Sequence, residues 1–515
     1  MTASLGLANA GVIDSCVLLQ DLTGDGVADI LTVAEPTSPI APPELRLAVA
    51  TAPGQYATKA QPLAALGRVV DCAAGDFSGD NAADLVLVTQ NGVRILVNQG
   101  GTFVDVTATW LPSSVTATSF GALALFDADR DGRLDVLLAA KQPLPQSADG
   151  GACLLADQGY LMCCVAILPN CATQFAGTEQ VYTCCDNQLA PSAKYLLHNT
   201  GISFTDVTAA SGITATGNTQ TLTAFDIDRD GWLDVFWGDD LGPHGWYRNL
   251  GNSHFAAHTA DLGMRPYAHA MGSALGDVDG DHRADLLLSS WGPSILYAGQ
   301  VDGFADISDG SGLAWLTENA VPWAYAFADF DADGWLDVVN TQSYVAAKGK
   351  LIGVGQAIPS DVSIGYHAIG HNSGGAFQKQ VLLWPGDAYA SFTELALATG
   401  DLDGDGDLDL LTQSPPGRLT IWRNDSKGQH WLRVRLNGKT AASVVGAVVQ
   451  VWKAGAVQER RQQLAGGFGA HDDGVLTFGL GNVATVDQVR VWWPSGMVTE
   501  LGPVAGGQVV VVAEP

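Results

Sequence analysis

Basic residues are scarce in this chain: 25 Lys and Arg stand against 54 Asp and Glu over 515 residues, a formal charge of −29. Phosphate recognition needs clustered cations, so the composition argues against nucleic acid as a partner. Long apolar runs are missing as well. No stretch of 18 apolar residues occurs, and no membrane span is expected. Neither GxSxG, HExxH nor a P-loop is present, so the common hydrolase and nucleotide chemistries have no signature here. Met1 is not followed by a secretory signal. Yet Thr2 to Leu7 (TASLGL) reads like Thr208 to Ile213 (TAASGI), so the chain is expected to begin partway into a repeat, with any leader upstream or removed. Cysteine is sparse and uneven, with six of eight between Cys153 and Cys185.

Acidic residues recur instead in a nine-residue pattern that occurs seven times, best preserved in Asp401-Leu-Asp403-Gly-Asp405-Gly-Asp407-Leu-Asp409. Carboxylates at positions 1, 3, 5 and 9 around a tight turn give the oxygen-rich set that calcium requires, ~6 to 8 donors. The expected ligands are Asp21, Thr23, Asp25 and Asp29 in loop one and Asp76, Ser78, Asp80 and Asp84 in loop two. Loops three and four contribute Asp127, Asp129, Asp131 and Asp135, then Asp226, Asp228, Asp230 and Asp234. Asp277, Asp279, Asp281 and Asp285 follow in loop five, and Asp329, Asp331, Asp333 and Asp337 in loop six. Asp401, Asp403, Asp405 and Asp409 complete loop seven. Position 6 must adopt φ > 0, which glycine does freely and which Asn81 and His282 tolerate. Thr23 and Ser78 each remove one charge, so loops one and two are expected to hold calcium most weakly. These loops contain 27 of the 54 acidic residues, and one divalent ion in each would bring the net charge to about −15.

Loop starts are separated by 55, 51, 99, 51, 52 and 72 residues, a unit of a little over 50. Within a unit, short β-branched runs alternate with Gly-rich turns, as in the segment from Ala268. Four strands per unit predict a seven-bladed, all-β propeller over residues 1–425. The two long spacings locate insertions at about 141–193 and 343–365, each after the second strand of its unit. The first carries the six clustered cysteines and is expected to be stapled by disulfides of open connectivity, with a zinc site as the rival reading. Cys16 and Cys72, just before loops one and two, read as buried free thiols. An oxidising, calcium-rich compartment follows: secreted or periplasmic.

After Asp425 the pattern changes to strands of alternating polarity, and residues 426–515 are expected to form a small β domain. The phrases FTDVTAASGI at Phe204 and HAMGSALGDVDGD at His269, with VGAVVQVW, LTFGLG and VDQVRVWWPSG in the tail, make the chain resemble the cartilage acidic protein family. That resemblance implies FG-GAP/VCBS propeller repeats, calcium in the loops, an ASPIC/UnbV domain at the C-terminus and a secreted protein. Thr23, Ser78, Asn81 and His282 depart from the repeat pattern.

Two functions compete. One is a secreted, monomeric binding or adhesion protein for a protein, glycan or small apolar ligand; the other is a calcium-stabilised enzyme of a natural-product pathway, of cyclisation or alkylation type. In either case long second turns should overhang the channel mouth opposite the calcium loops. Phe120, His269, Trp323, Tyr325, His367 and His371 are the residues expected near it. The pairs His254/His258 and His367/His371 are spaced i, i+4, which on a strand is ~13 Å, too far for one metal. Trp237, Trp246 and Trp291 read mainly as packing.

Overall fold

The structure, a computed structural model, describes residues 16–34, 44–52, 54–62, 69–89, 92–116, 118–141, 192–240, 242–258, 263–264, 270–290, 294–301, 303–313, 320–346, 350–351, 368–381, 395–414, 418–426, 429–464 and 470–515. Most of the first insertion, with its six cysteines, and the core of the second therefore lie outside the described residues, as do His269, His367 and Trp291.

Each of the seven acidic loops joins the first two strands of an antiparallel sheet. Unit three illustrates the plan: Phe120–Phe126 and Asp135–Ala140 flank loop three, then Lys194–Asn199 and Phe204–Asp206 complete a four-stranded meander. Units two, four and five repeat it. Unit six extends its second strand to Asp337–Ala346, which pairs with Lys350–Leu351 before the chain returns as Ala368–Asn372. Three strands of unit seven are described. The expected all-β, four-stranded repeat is thus borne out.

Strict alternation of polarity is missing from the first two strands for a physical reason: both faces of each sheet are covered. All seven residues of Phe120–Phe126 are buried, as are all six of Asp135–Ala140. Separate apolar cores lie between successive sheets. Leu18, Leu31 and Leu87 join units one and two; Phe225, Leu286 and Tyr297 join units four and five. Val17 and Leu19 of unit one share another core with Ala396 and Leu411 of unit seven, which brings the last sheet beside the first. Side chains of this size contribute roughly 1.5–3 kcal/mol each when fully buried.

Five asparagines staple these sheets together. Asn98 Nδ2 donates to the Leu22 carbonyl in the loop of the preceding unit, at 2.8 Å. Asn199, Asn249, Asn372 and Asn424 do the same to Phe77, Ala128, Val278 and Phe330, at 2.7–3.2 Å. Units one and five carry Ala50 and Gly299 at this position. At the junction of units seven and one, the Gly54 amide takes over and donates to the Leu402 carbonyl at 3.0 Å.

Cys16 and Cys72 correct one expectation. They form a disulfide that links unit one to unit two, with Cα atoms 5.5 Å apart. In sequence they are 56 residues apart, about one repeat, and only the side-by-side placement of two first strands brings them together.

Beyond residue 429 the chain forms three further sheets, of three, four and two strands, with a core that includes Leu432, Val449, Phe478 and Val491. One pairs Leu476–Gly481 with His430–Asn437 and, in parallel, Gln508–Ala513. This region is not a detached tail. Ala470–His471 pairs in parallel with Val17–Gln20, adding a fifth strand to the first sheet.

Candidate metal centre

The backbone of each acidic loop is wound around its own carboxylates. The position 1 carboxylate accepts from amides later in the turn: Asp21 Oδ1 from Gly24 at 2.7 Å and Oδ2 from Gly26 at 2.7 Å, with the same bond to position 6 in all seven loops. The position 5 carboxylate accepts from the position 7 amide at 2.8–3.1 Å. Such winding needs positive φ at position 6, found at Asn81 (68°) and His282 (67°) as well as at the glycines. Position 4 also has positive φ, even where Arg130, Arg229 and Ala332 occupy it, at 62°, 62° and 55°. Sequence reasoning did not assign that second requirement.

Position 9 does more than close a cage. Asp84 is fully buried, its Oδ2 accepting from the Phe77 amide at 2.9 Å and Oδ1 from Asn98 on the third strand at 2.8 Å. The six equivalent aspartates are clamped in the same way. Each therefore ties loop, second strand and third strand together whether or not an ion is present.

These residues fit a hard divalent cation. In loops three and four the three successive carboxylates offer oxygens that lie within 4.8 Å of one another. Buried Asp226 Oδ1, Asp329 Oδ1 and Thr23 Oγ1 make no hydrogen bond, which leaves oxygen donors free for coordination. Burial, and then the neighbouring carboxylates, pushes Asp127 up to about 6; a cation would relieve that repulsion. Asp329 and Asp226 are likewise raised to about 6, chiefly by burial.

The loops are not alike at the third-strand residue that falls opposite position 9 when the strand register is carried one residue further. It is Val49, Val97, His198, Arg248, Ala298, His371 and Arg423 in units one to seven. His198 Nδ1 lies 3.2 Å from Asp135 Oδ1 and 3.5 Å from Asp129 Oδ2; His371 Nδ1 lies 3.3 Å from Asp337 Oδ1 and 3.2 Å from Asp331 Oδ2. Arg248 Nε reaches Asp228 at 2.5 Å, and Arg423 Nε reaches Asp403 at 2.9 Å. A signal was available in the sequence, because each of these four residues directly precedes a stapling asparagine.

His371 is thus a correction. It belongs to loop six and not to the opposite mouth. Phe120 is also misplaced as a mouth residue: it is fully buried and meets Tyr195 edge-on, with centroids 5.6 Å apart. Tyr325 is buried with its hydroxyl against Ser294, and burial raises its pKa. Trp323 is half-buried. Trp237 and Trp246 are buried, and His258 stacks on Trp246 with centroids 5.1 Å apart.

The C-terminal sheets lie against the acidic loops. Arg433 bridges Asp401, at 3.2 Å, and Asp473. Half-buried Arg460 donates to the Gly334 carbonyl at 3.2 Å, and its charge lies near Asp329 and Asp277. The Gly479 amide donates to Asp329 Oδ2 at 3.0 Å, and Arg435 to the Gly26 carbonyl at 2.8 Å. A cavity of about 180 Å³ remains between the repeats and this region, lined by Asp277, Asp329, Arg460, His471 and Asp472 among others. His471 Nε2 donates to the Cys72 carbonyl at 2.5 Å, and burial lowers its pKa to about 4.

Repeated sheets, each with an acidic loop, and an appended β domain define a class that the family comparisons recognise. Residues 76–138, 226–288 and 277–339 match the FG-GAP-like repeat, and residues 437–515 match the ASPIC and UnbV family. The chain carries FG-GAP repeats and an ASPIC/UnbV domain, and among curated proteins it is a homologue of cartilage acidic protein 1. It is 28% identical to the Mus musculus protein over 56% of this chain and 44% of that one. With the Homo sapiens protein it is 26% identical over 60% of this chain and 46% of that one. The match spans less than half the length of either relative. Among solved structures, a lectin from Agrocybe aegerita described as recognising non-reducing terminal N-acetylglucosamine has 15% identity and a TM-score of 0.41, covering 71% of this chain and 79% of that one. BBS1N in complex with ARL6DN has 10% identity and a TM-score of 0.46, covering 83% and 97%. Likenesses this distant carry no argument about function. No helix among the described residues is long and apolar enough to cross a membrane.

Proposed function

We propose that this chain is a seven-bladed, calcium-stabilised propeller of the extracellular space that acts as a binding protein, with its partner on the face opposite the acidic loops. The observation that carries the choice of face is the seating of the C-terminal sheets on the loops, through Arg433, Arg435, Arg460 and Gly479. A surface engaged by the chain's own domain is closed to a large partner, whereas the second turns lie at the other ends of the strands. The Cys16–Cys72 disulfide supports an oxidising compartment, and the relatives' name associates them with cartilage. In the loops, Asp21, Asp25 and their equivalents supply an oxygen set suited to calcium, whose role would be to hold clustered carboxylates together. Protein and glycan remain the two partner classes, and no observation favours the enzymatic alternative.

The test is binding of the full chain to glycan and matrix-protein arrays, in calcium and after chelation, alongside a variant in which residues 352–367 are replaced by a short Gly-Ser link. Binding that needs calcium and disappears in the shortened variant, while that variant melts like the parent, supports the proposal. Undiminished binding by the shortened variant, or binding lost only on mutation of the C-terminal sheets, overturns the assignment of the face.

A further inference from the structure

We infer that loops three and six form a separate class of metal site, in which an imidazole beside the carboxylates favours a borderline divalent ion such as zinc over calcium. This rests on the reading of the loops as divalent-cation cages, but not on calcium filling the others. In units three, four, six and seven the third-strand residue opposite position 9 reaches the loop carboxylates, and in units three and six it is an imidazole. In both, Nδ1 and the carboxylates of positions 3 and 9 come together: His198 with Asp129 and Asp135, His371 with Asp331 and Asp337, all with ligand atoms within 4.8 Å.

The separations are informative. Nδ1 stands 3.2–3.5 Å from the two carboxylate oxygens in loop three and 3.2–3.3 Å in loop six. Two donors each ~2.1 Å from one zinc ion, at tetrahedral to right angles, would stand ~3.0 to 3.4 Å apart. His198 Nδ1 is shielded from solvent and faces two carboxylates, those of Asp135 and Asp129. In loop six, Asp329 is only 3% exposed and its Oδ1 has no hydrogen-bond partner. Loop six thus holds an unpartnered, buried carboxylate oxygen in addition to its imidazole and two carboxylates, and loop three a solvent-shielded imidazole nitrogen between two carboxylates.

Ligand chemistry decides the class of ion. Calcium takes oxygen donors, whereas imidazole favours zinc and its first-row neighbours. The ninth-position aspartates are held by the Asn199 and Asn372 amides, each at 2.8 Å, which fixes one donor oxygen of each set. Loops four and seven supply the contrast. There Arg248 and Arg423 occupy the same register and neutralise position 3 directly, so the same place in the fold holds a built-in cation.

The experiment strips the full chain of metal, dialyses it against micromolar zinc in millimolar calcium, and counts both metals. Two equivalents of zinc should remain, one in either H198N or H371N and none in the double variant. Zinc retained at the same count in the double variant, or no zinc retained by the parent, overturns the inference. Zinc bound without any calcium would leave it standing and count against the calcium reading instead. Should the double variant fail to fold by circular dichroism, cobalt titration of the parent decides. Visible d–d absorption should saturate at two equivalents and be bleached by zinc but not by calcium; its absence overturns the inference.

Discussion

Asn372 shows how much a single side chain contributes to this architecture. Its Nδ2 donates to the Val278 carbonyl of the preceding unit at 2.8 Å and to Leu336 of its own at 3.0 Å, while Oδ1 accepts from the Gly375 amide at 2.8 Å. Asn372→Ala leaves two carbonyls and an amide unpaired, so it is expected to destabilise the protein by about 2–3 kcal/mol in denaturant titrations. Ser373→Ala beside it, whose exposed hydroxyl bonds to Ala376, serves as the control; equal losses would refute the staple. The acidic loops were legible at this scale because carboxylate spacing is written in the residues themselves. Position 4, the second job of position 9 and the imidazoles were not, since each depends on which strand lies alongside. Counting carboxylates also ranks the loops poorly: loop seven has the fullest set, but Arg423 and Arg433 already neutralise part of it.

At the scale of the strand and sheet, the repeat spacing and turn residues revealed four-stranded units, because each unit must punctuate its own short strands. Contacts between units were hidden. Cys16 and Cys72 look like isolated apolar cysteines until the first strands of units one and two are set side by side, where they form a cross-link. Closing a loop of this length removes roughly 4 kcal/mol of unfolded-chain entropy in the simple model. Cys72→Ser is therefore expected to lower stability by about 2–4 kcal/mol. Thiol titration of the unfolded, unreduced protein should detect neither cysteine; finding both reactive would exclude the bond. Likewise, the alternating pattern after residue 429 announced a β domain, but not that Ala470–His471 would join the first sheet as its fifth strand.

Over the whole molecule, the loops are expected to make stability depend on pH with opposite signs in the presence and absence of metal. Burial pushes Asp127, Asp226 and Asp329 up to about 6, Asp285, Asp337 and Asp409 to about 7, and Asp234 to about 8. In the unfolded chain an aspartate titrates near 3.9. Between about pH 4 and 8 the folded, metal-free protein therefore holds more protons than the unfolded one, and its stability must fall as pH rises. His244 and His471, both lowered to about 4 by burial, work in the opposite sense below pH 6.5, but they are two groups against many. A bound divalent ion reverses the trend, because it needs the ligands deprotonated and competes with protons for them. In excess chelator the protein is expected to melt at a higher temperature at pH 5 than at pH 8, and in millimolar calcium at a higher temperature at pH 8. Calorimetry at the two pH values, with and without calcium, checks both halves. Parallel pH profiles in the two conditions would mean that the acidic loops hold no ion that matters to the fold.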